Sequence, residues 1–169
     1  MALFSANLEN LRALYNKQLD AMYSVETQLT EALPKMADAA TDPKLKEAFT
    51  THLQETRQHA TRVKDLLAKT QQSAGSDKCK AMAALIDSGE TMIKDAKDDA
   101  VRDASLILAA QRVEHFEMAS YGTLRGWAEL LGEQQSAQIL DEILRQEGHA
   151  DHLLTEISQA ANARARRAA

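Results

Sequence analysis

The sequence predicts an all-α protein, and three observations support this fold class. Glycine occurs six times and proline twice among 169 residues, so few positions disfavour a helix. Aromatic residues make up 4% of the chain, which is little for an extended β-sheet. Apolar residues recur at alternating spacings of three and four, the pattern of amphipathic helices. The length fits one domain, residues 1–169, with a buried core.

Turn and capping residues divide the apolar pattern into four long helices and one short helix. Asp42 is suited to cap a helix that begins at Pro43, because proline is favoured at the first helical position. The polar stretch 71–77 is a linker, and Gly132 is a suitable C-cap. The predicted long helices span about residues 7–40, 43–70, 98–131 and 133–162, and the short helix spans about residues 78–97.

The connections between these helices predict their arrangement. A short turn joins the first two long helices, and another joins the last two, so each pair forms a helical hairpin. The long middle connection, which carries the short helix, joins the hairpins. Two hairpins joined by one crossover are the ferritin-like form of a four-helix bundle. We therefore expect a ferritin-like four-helix bundle with a short extra helix in its crossover.

Carboxylates occupy positions on the predicted helices where the repeat calls for core residues. Leaving so many charges buried and unpaired would cost several kcal/mol each, so something must neutralise them. Two metal ions would do so, and carboxylates with one or two imidazoles suit iron or manganese. The candidate metal ligands are Glu26, Glu55, His59, Glu114, Glu117, Glu147 and Asp151.

The positions of these residues suggest roles for some of them. Glu55 and Glu147, from the middle of the second and fourth long helices, are candidates for bridging ligands. Glu26 and either Glu114 or Glu117 would be terminal ligands. Which of Glu114 and Glu117 bridges and which is terminal stays open, because each residue turns the helix by about 100° and the rotation of the helix is not known from the sequence.

Other residues near these positions carry weaker signals. His59 and its neighbour Gln58 compete for the place facing the site. His52 is interpreted as a helix-interface histidine, with roles as a ligand or as a partner of a ligand as alternatives. Tyr23 and Tyr121 lie within one turn of a carboxylate, so their hydroxyls either hydrogen-bond to ligand oxygens or face water.

The charge and cysteine content limit the classes of partner. A net charge of −5 disfavours nucleic-acid binding, which usually needs a basic face. The single cysteine excludes an intramolecular disulfide, and we expect a reducing compartment. Because the sequence has no apolar segment long enough to span a membrane, we expect a cytoplasmic protein.

Several stretches resemble the YciE/YciF family of bacterial stress-associated, ferritin-like proteins. They are Tyr23–Leu29 (YSVETQL), His52–Thr56 (HLQET), Val101–Ala110 (VRDASLILAA) and Arg112–Leu124 (RVEHFEMASYGTL). The resemblance covers nearly the whole chain. It implies a ferritin-like bundle, a homodimer and a dinuclear metal site similar to that of rubrerythrins.

The chain departs from the rubrerythrin pattern at two positions. Rubrerythrins have a histidine where Gln58 stands here, and another where Asp151 stands. The expected site is therefore richer in carboxylates, which makes oxidised metal easier to hold than to reduce.

We expect a stress-response protein that binds two iron ions, with manganese as an alternative, and reacts with dioxygen or hydrogen peroxide. Whether it turns over as an enzyme stays open. The alternative is a non-enzymatic structural protein of the same fold that binds metal weakly or not at all.

Overall fold

The computed structural model describes residues 9–70, 75 and 77–168, which form five α-helices and no β-strand. The predicted all-α class is therefore confirmed for this part of the chain. The predicted helix start near residue 7 and most of the predicted linker lie outside the described residues. The helices are α1 Leu11–Ala39, α2 Pro43–Lys69, α3 Lys80–Asp95, α4 Asp99–Leu130 and α5 Gln134–Ala165, followed by a 3₁₀ turn, Arg166–Ala168.

Side-chain caps fix where most of the helices begin. The Asn10 side chain accepts a hydrogen bond from the backbone of α1, and the Asp42 side chain accepts two from the start of α2. Asp98 does the same for α4. Gly132, with a φ of 77°, follows α4 in the left-handed conformation that favours glycine. The turn it makes sends the chain back along α5.

The four long helices pack as two antiparallel hairpins. α1 packs on α2, α4 packs on α5, and the hairpins meet through α1 against α4 and α2 against α5. At one end of the α1–α4 contact, Thr41 donates to Asp103, and at the other end Arg12 pairs with Glu133. Residue numbers thus rise along α1 as they fall along α4, so these two helices are antiparallel. The middles of all four helices consequently lie at one level.

The α3 helix lies in the connection between the hairpins and packs on α1 and α4. Its start is held against α1 by the backbone of Cys79. The Cys79 N–H donates to Ser24 Oγ at 2.9 Å, and the Cys79 carbonyl oxygen accepts from Gln28 Nε2 at 3.2 Å. Gly89 permits a close approach to α4, since a Cβ atom there would lie 3.2 Å from that of Ala109. Residues on α3 therefore cover one outer side of the α1–α4 contact.

A buried carboxylate ties both hairpins together at one end of the molecule. Asp103 on α4 is 1% exposed and accepts hydrogen bonds from both backbone and side chain of Thr41 and from the backbone of Asp42. Arg164 of α5 pairs with Asp42 at 2.7 Å and lies 3.7 Å from Asp103. The turn between α1 and α2 is thus held by residues from α4 and α5.

In the described part of the chain, no helix combines the length and apolarity needed to cross a membrane.

Candidate metal centre

Six side chains of types that can bind metal ions are buried at the middle of the four long helices. Each helix contributes at least one, and each is 6% exposed or less. The six residues are Glu26 of α1, His52 and His59 of α2, Glu114 and Glu117 of α4, and Glu147 of α5.

The helical repeat places these polar groups among apolar ones. Glu26 follows Met22 by four residues and precedes Leu29 by three, and all three side chains are buried. His52 and His59 are two turns apart, so they project from one face of α2. The surrounding apolar core keeps water from the carboxylates, which strengthens every electrostatic interaction among them.

The first group of potential ligands consists of His52, Glu114, Glu117 and Glu147. Each offers one ligand atom, and these four atoms lie within 4.8 Å of one another. His52 Nε2 is 3.4 Å from Glu114 Oε1 and 3.6 Å from Glu147 Oε2. The Nδ1 atom of this ring lies 3.3 Å from Glu55 Oε2. A carboxylate can only accept, so Nδ1 donates and Nε2 faces the group, the arrangement found around metal-binding histidines.

The second group consists of Glu26, His59 and Glu147, whose ligand atoms also lie within 4.8 Å of one another. His59 Nδ1 is 2.9 Å from Glu147 Oε1 and 3.8 Å from Glu26 Oε1. The shorter approach lacks the alignment of a hydrogen bond. His59 Nε2 donates to Gln146 Oε1 at 3.1 Å, which directs Nδ1 toward the carboxylates. Glu147 belongs to both groups and joins them.

Six buried carboxylate oxygens in these groups have no hydrogen-bond partner in the structure. They are Glu26 Oε2, Glu114 Oε2, both oxygens of Glu117 and both oxygens of Glu147. An unsatisfied buried acceptor costs about 1–3 kcal/mol, and more if it is charged. Carboxylate oxygens with imidazole nitrogens are the donor set that iron and manganese prefer. The residues present therefore fit a pair of such cations.

The electrostatics of the metal-free cluster indicate bound protons. Burial raises the pKa of Glu26 to about 8, and the charge of Glu147 adds to this effect. Burial raises the pKa of Glu114 to about 8 although His52 opposes it, and burial holds that of Glu117 well above its usual value. Burial disfavours the His52 imidazolium, but the Glu114 charge and other carboxylates outweigh it and raise its pKa to about 10. A cation would have to displace these protons.

The hydroxyl of Tyr121 donates a hydrogen bond to Glu26 Oε1. Burial and the Glu26 charge hold the pKa of this fully buried phenol well above its usual value, so it stays protonated. Tyr23 is half-buried, and within the described residues its hydroxyl has no hydrogen-bond partner. Of the two tyrosines singled out in the sequence, only Tyr121 contacts a candidate ligand.

The structure brings five of the seven predicted ligands together and keeps Glu55 and Asp151 outside both groups. The Glu55 side chain is 28% exposed and contacts the site through His52. Asp151 lies 3.3 Å from His115 Nε2 and accepts from Gln111 at 3.2 Å, on the outer side of the α4–α5 contact.

The two residues that sequence reasoning left open are separated clearly by burial. Gln58 is exposed, whereas His59 is buried and faces the carboxylates. His52, interpreted from the sequence as an interface histidine, lies among the potential ligands instead. Its spacing of seven from His59 was the signal that could have identified it, because two turns return a helix to nearly the same face.

Comparison with known proteins identifies the family. A family model described as "Domain of unknown function (DUF892)" matches residues 10–166. The chain is 39% identical to protein YciF of Escherichia coli K12 over 153 residues, which is 90% of this chain and 92% of that protein.

Solved structures of similar proteins share the fold. The E. coli stress protein YciF superimposes with a TM-score of 0.87 at 38% identity, covering 90% of this chain and 97% of that one. YcfI of Rhodopseudomonas palustris, for which a structural role has been suggested, superimposes with a TM-score of 0.86 at 35% identity, covering 90% of this chain and 98% of that one. A protein from Xanthomonas campestris superimposes with a TM-score of 0.73 at 26% identity, covering 89% of this chain and 92% of that one. The resemblance predicted from the sequence is therefore confirmed: the chain belongs to the DUF892 family and is a YciF-like protein.

Proposed function

We propose that this protein binds two iron ions, or two manganese ions, at a carboxylate-bridged site and reacts with dioxygen or hydrogen peroxide in a stress response. The observation that carries the proposal is the position of Glu147, which belongs to both groups of potential ligands. A residue shared in this way is suited to bridge two cations. The stress-protein description of the relative YciF is consistent with it.

The helix arrangement supports the ferritin-like four-helix bundle as part of the same proposal. The two antiparallel hairpins and the single long connection through α3 correspond to the topology of ferritin-like folds. Proteins of that class hold two cations between carboxylates and histidines that project inward from all four helices. The buried residues of this chain come from the same four positions in the topology.

Each group of residues would hold one cation of the proposed site. Glu147 would be shared between the two cations, with His59 and Glu26 holding one and His52 and Glu114 holding the other. Glu117, with both oxygens unpaired, lies in the same group as His52. Partners outside the groups fix the orientation of both rings through hydrogen bonds to their second nitrogens.

When bound, reduced iron would supply the electrons for reduction of dioxygen or peroxide. The protein contributes a preorganised, buried set of ligands and one protonated group beside a ligand, the Tyr121 hydroxyl on Glu26. This hydroxyl fixes the Glu26 carboxylate and is suited to hold a proton next to the reacting pair.

A homodimer forms part of the proposal. Val101 and Leu108 lie seven residues apart on α4 and are 39% and 43% exposed, so two large apolar side chains project from one face of that helix. Sedimentation equilibrium would test it, and a purely monomeric protein would contradict it.

A second candidate function is a structural stress protein that binds metal weakly or not at all. The suggested structural role of the Rhodopseudomonas relative favours it. Under this alternative, burial keeps the pKa values of Glu26, Glu114 and Glu117 raised so that these carboxyls hold protons near neutral pH, and removal of metal leaves the melting temperature unchanged.

Iron content after anaerobic loading with iron(II) and desalting separates the two candidates. We expect about two irons per chain for the wild type, as in other two-metal sites, and a clear loss in Glu147→Gln. The matched control is Glu142→Gln on the same helix, whose side chain is 53% exposed and pairs with Arg62. Glu142→Gln should retain the wild-type content. A wild type that holds almost no metal would contradict the proposed function.

A further inference from the structure

A cleft of about 90 Å³ opens between α2 and α5 and extends to the buried carboxylate of Glu114. Thr51 and His149, at its rim, are exposed, whereas Glu114, at its inner end, is 2% exposed. His52 and Glu55 also line the cleft. Four other clefts, beside α3 and along α4, are lined by none of the six potential ligands. The cleft between α2 and α5 therefore connects solvent with the candidate metal centre.

The polar atoms in this cleft are suited to a cation. Glu114 Oε2 is buried and has no hydrogen-bond partner. Glu55 uses one oxygen to accept from His52 and presents a partly exposed carboxylate nearer the solvent. The remaining walls are largely apolar, with Phe49, Leu153 and Leu154 among them. A cation passing through would find its protein ligands at Glu55 first and Glu114 next.

The size of the cleft restricts what can pass. Pockets for organic ligands of ordinary size measure roughly 300–1,000 Å³, several times more than this cleft. A partly hydrated divalent ion exchanges its waters for carboxylate oxygens one at a time, which needs far less space.

On the basis of the proposed function, we propose that this cleft is the route by which divalent metal ions reach the buried centre, with Glu55 as the first protein ligand. Glu55 then acts at the mouth of the cleft, while the fixed ligands lie beyond it. This role accounts for a carboxylate that lies outside both ligand groups and yet contacts one of their histidines.

The test is the rate of cobalt(II) uptake by the metal-free full-length protein, followed by visible absorption in a stopped-flow instrument. Ala150→Trp and Thr51→Trp fill the cleft from opposite walls. We expect uptake to be about tenfold slower in both, with the final spectrum and stoichiometry of the wild type. Ala160→Trp, an exposed position farther along α5, is the matched control and should load at the wild-type rate.

The outcomes are distinct. Wild-type rates in a folded cleft-filling variant would overturn the proposed route. Absence of any cobalt(II) band in the wild type would overturn the proposed function itself.

Glu55→Gln preserves the volume of the side chain, and therefore tests the role of Glu55 even if a tryptophan variant does not fold. We expect it to slow uptake severalfold and to weaken the dependence of the rate on salt, because a mouth charge is removed. An unchanged rate would overturn that role.

Discussion

Removal of metal should make the stability of this protein fall as the pH rises through neutrality. Glu26 and Glu114 have pKa values of about 8 in the folded chain, against 4.5 for an ordinary glutamate. Between these values the folded protein holds protons that the unfolded chain has released. The free energy of unfolding is therefore highest below the unfolded pKa and declines until the pH passes the folded pKa.

The size of the effect follows from the number of protons involved. Each extra proton on the folded state changes the free energy of unfolding by about 1.4 kcal/mol per pH unit. Counting only one such proton for the coupled carboxylates gives a loss of about 3 kcal/mol between roughly pH 5.5 and 7.5. His52, whose pKa is raised to about 10, extends the decline to more alkaline pH. For a chain of this length, the melting temperature should fall by roughly 6–12 °C.

Circular dichroism melts of the chelator-treated protein across this pH range measure the decline directly. Adding manganese(II) should remove the decline, because the cation replaces the protons and binds better as pH rises. The double variant Glu26→Gln, Glu114→Gln should show a flatter profile without metal. Asp141→Asn is the control, since arginine contacts lower the pKa of that partly exposed carboxyl and it titrates below this range. A metal-free melting temperature that is constant or rises with pH would refute the reasoning.

Four further substitutions test other parts of the structure by urea unfolding at fixed pH. Tyr121→Phe should retain bound metal but destabilise the metal-free protein by about 1–3 kcal/mol, since Glu26 loses its hydrogen bond; no change would show that the bond contributes nothing. Asp103→Ala should lower the free energy of unfolding by about 2–4 kcal/mol, because it leaves the α1–α2 turn without its acceptor. A loss below roughly 0.5 kcal/mol, the size expected for a surface substitution, would contradict this. Gly132→Ala should destabilise by about 1 kcal/mol because its φ is positive. Gly126→Ala, inside α4 with open space where the new Cβ would lie, should instead stabilise the protein slightly.

The sequence predicted the all-α class because the apolar spacing and the turn residues agree. Glu26, Glu117 and Glu147 could be predicted as buried because each continues an apolar stripe. Periodicity was less informative on α2. His52 and His59 differ by about 20° around the helix, whereas Glu55 is turned away from both by roughly 40–60°. A rotation of that size places Glu55 at the edge of the site and His52 inside it.

The same geometry explains the position of Asp151. It follows Glu147 by four residues and is therefore turned by about 40° on α5. That rotation carries its side chain away from the site to a partly exposed position, 20% exposed, where Gln111 and His115 of α4 supply its partners. Whether Asp151 points toward the site or away from it depends on how α4 and α5 are rotated against each other, which is a property of the packed hairpin. No spacing within a single helix contains that information.

The charged contacts at the two ends of the hairpins have a consequence for the exchange of metal. Asp103 and Arg164 hold one end together, and Arg12 with Glu133 holds the other, so neither contact uses a carboxylate of the candidate metal centre. In small zinc domains the fold exists only with the metal, and loss of the ion unfolds the chain. Here the contacts at the two ends hold the four long helices together without the residues of the candidate metal centre. Under the proposed function, we therefore expect the protein to release an ion and take up another while folded, with none of the free energy of metal binding spent on ordering the helices.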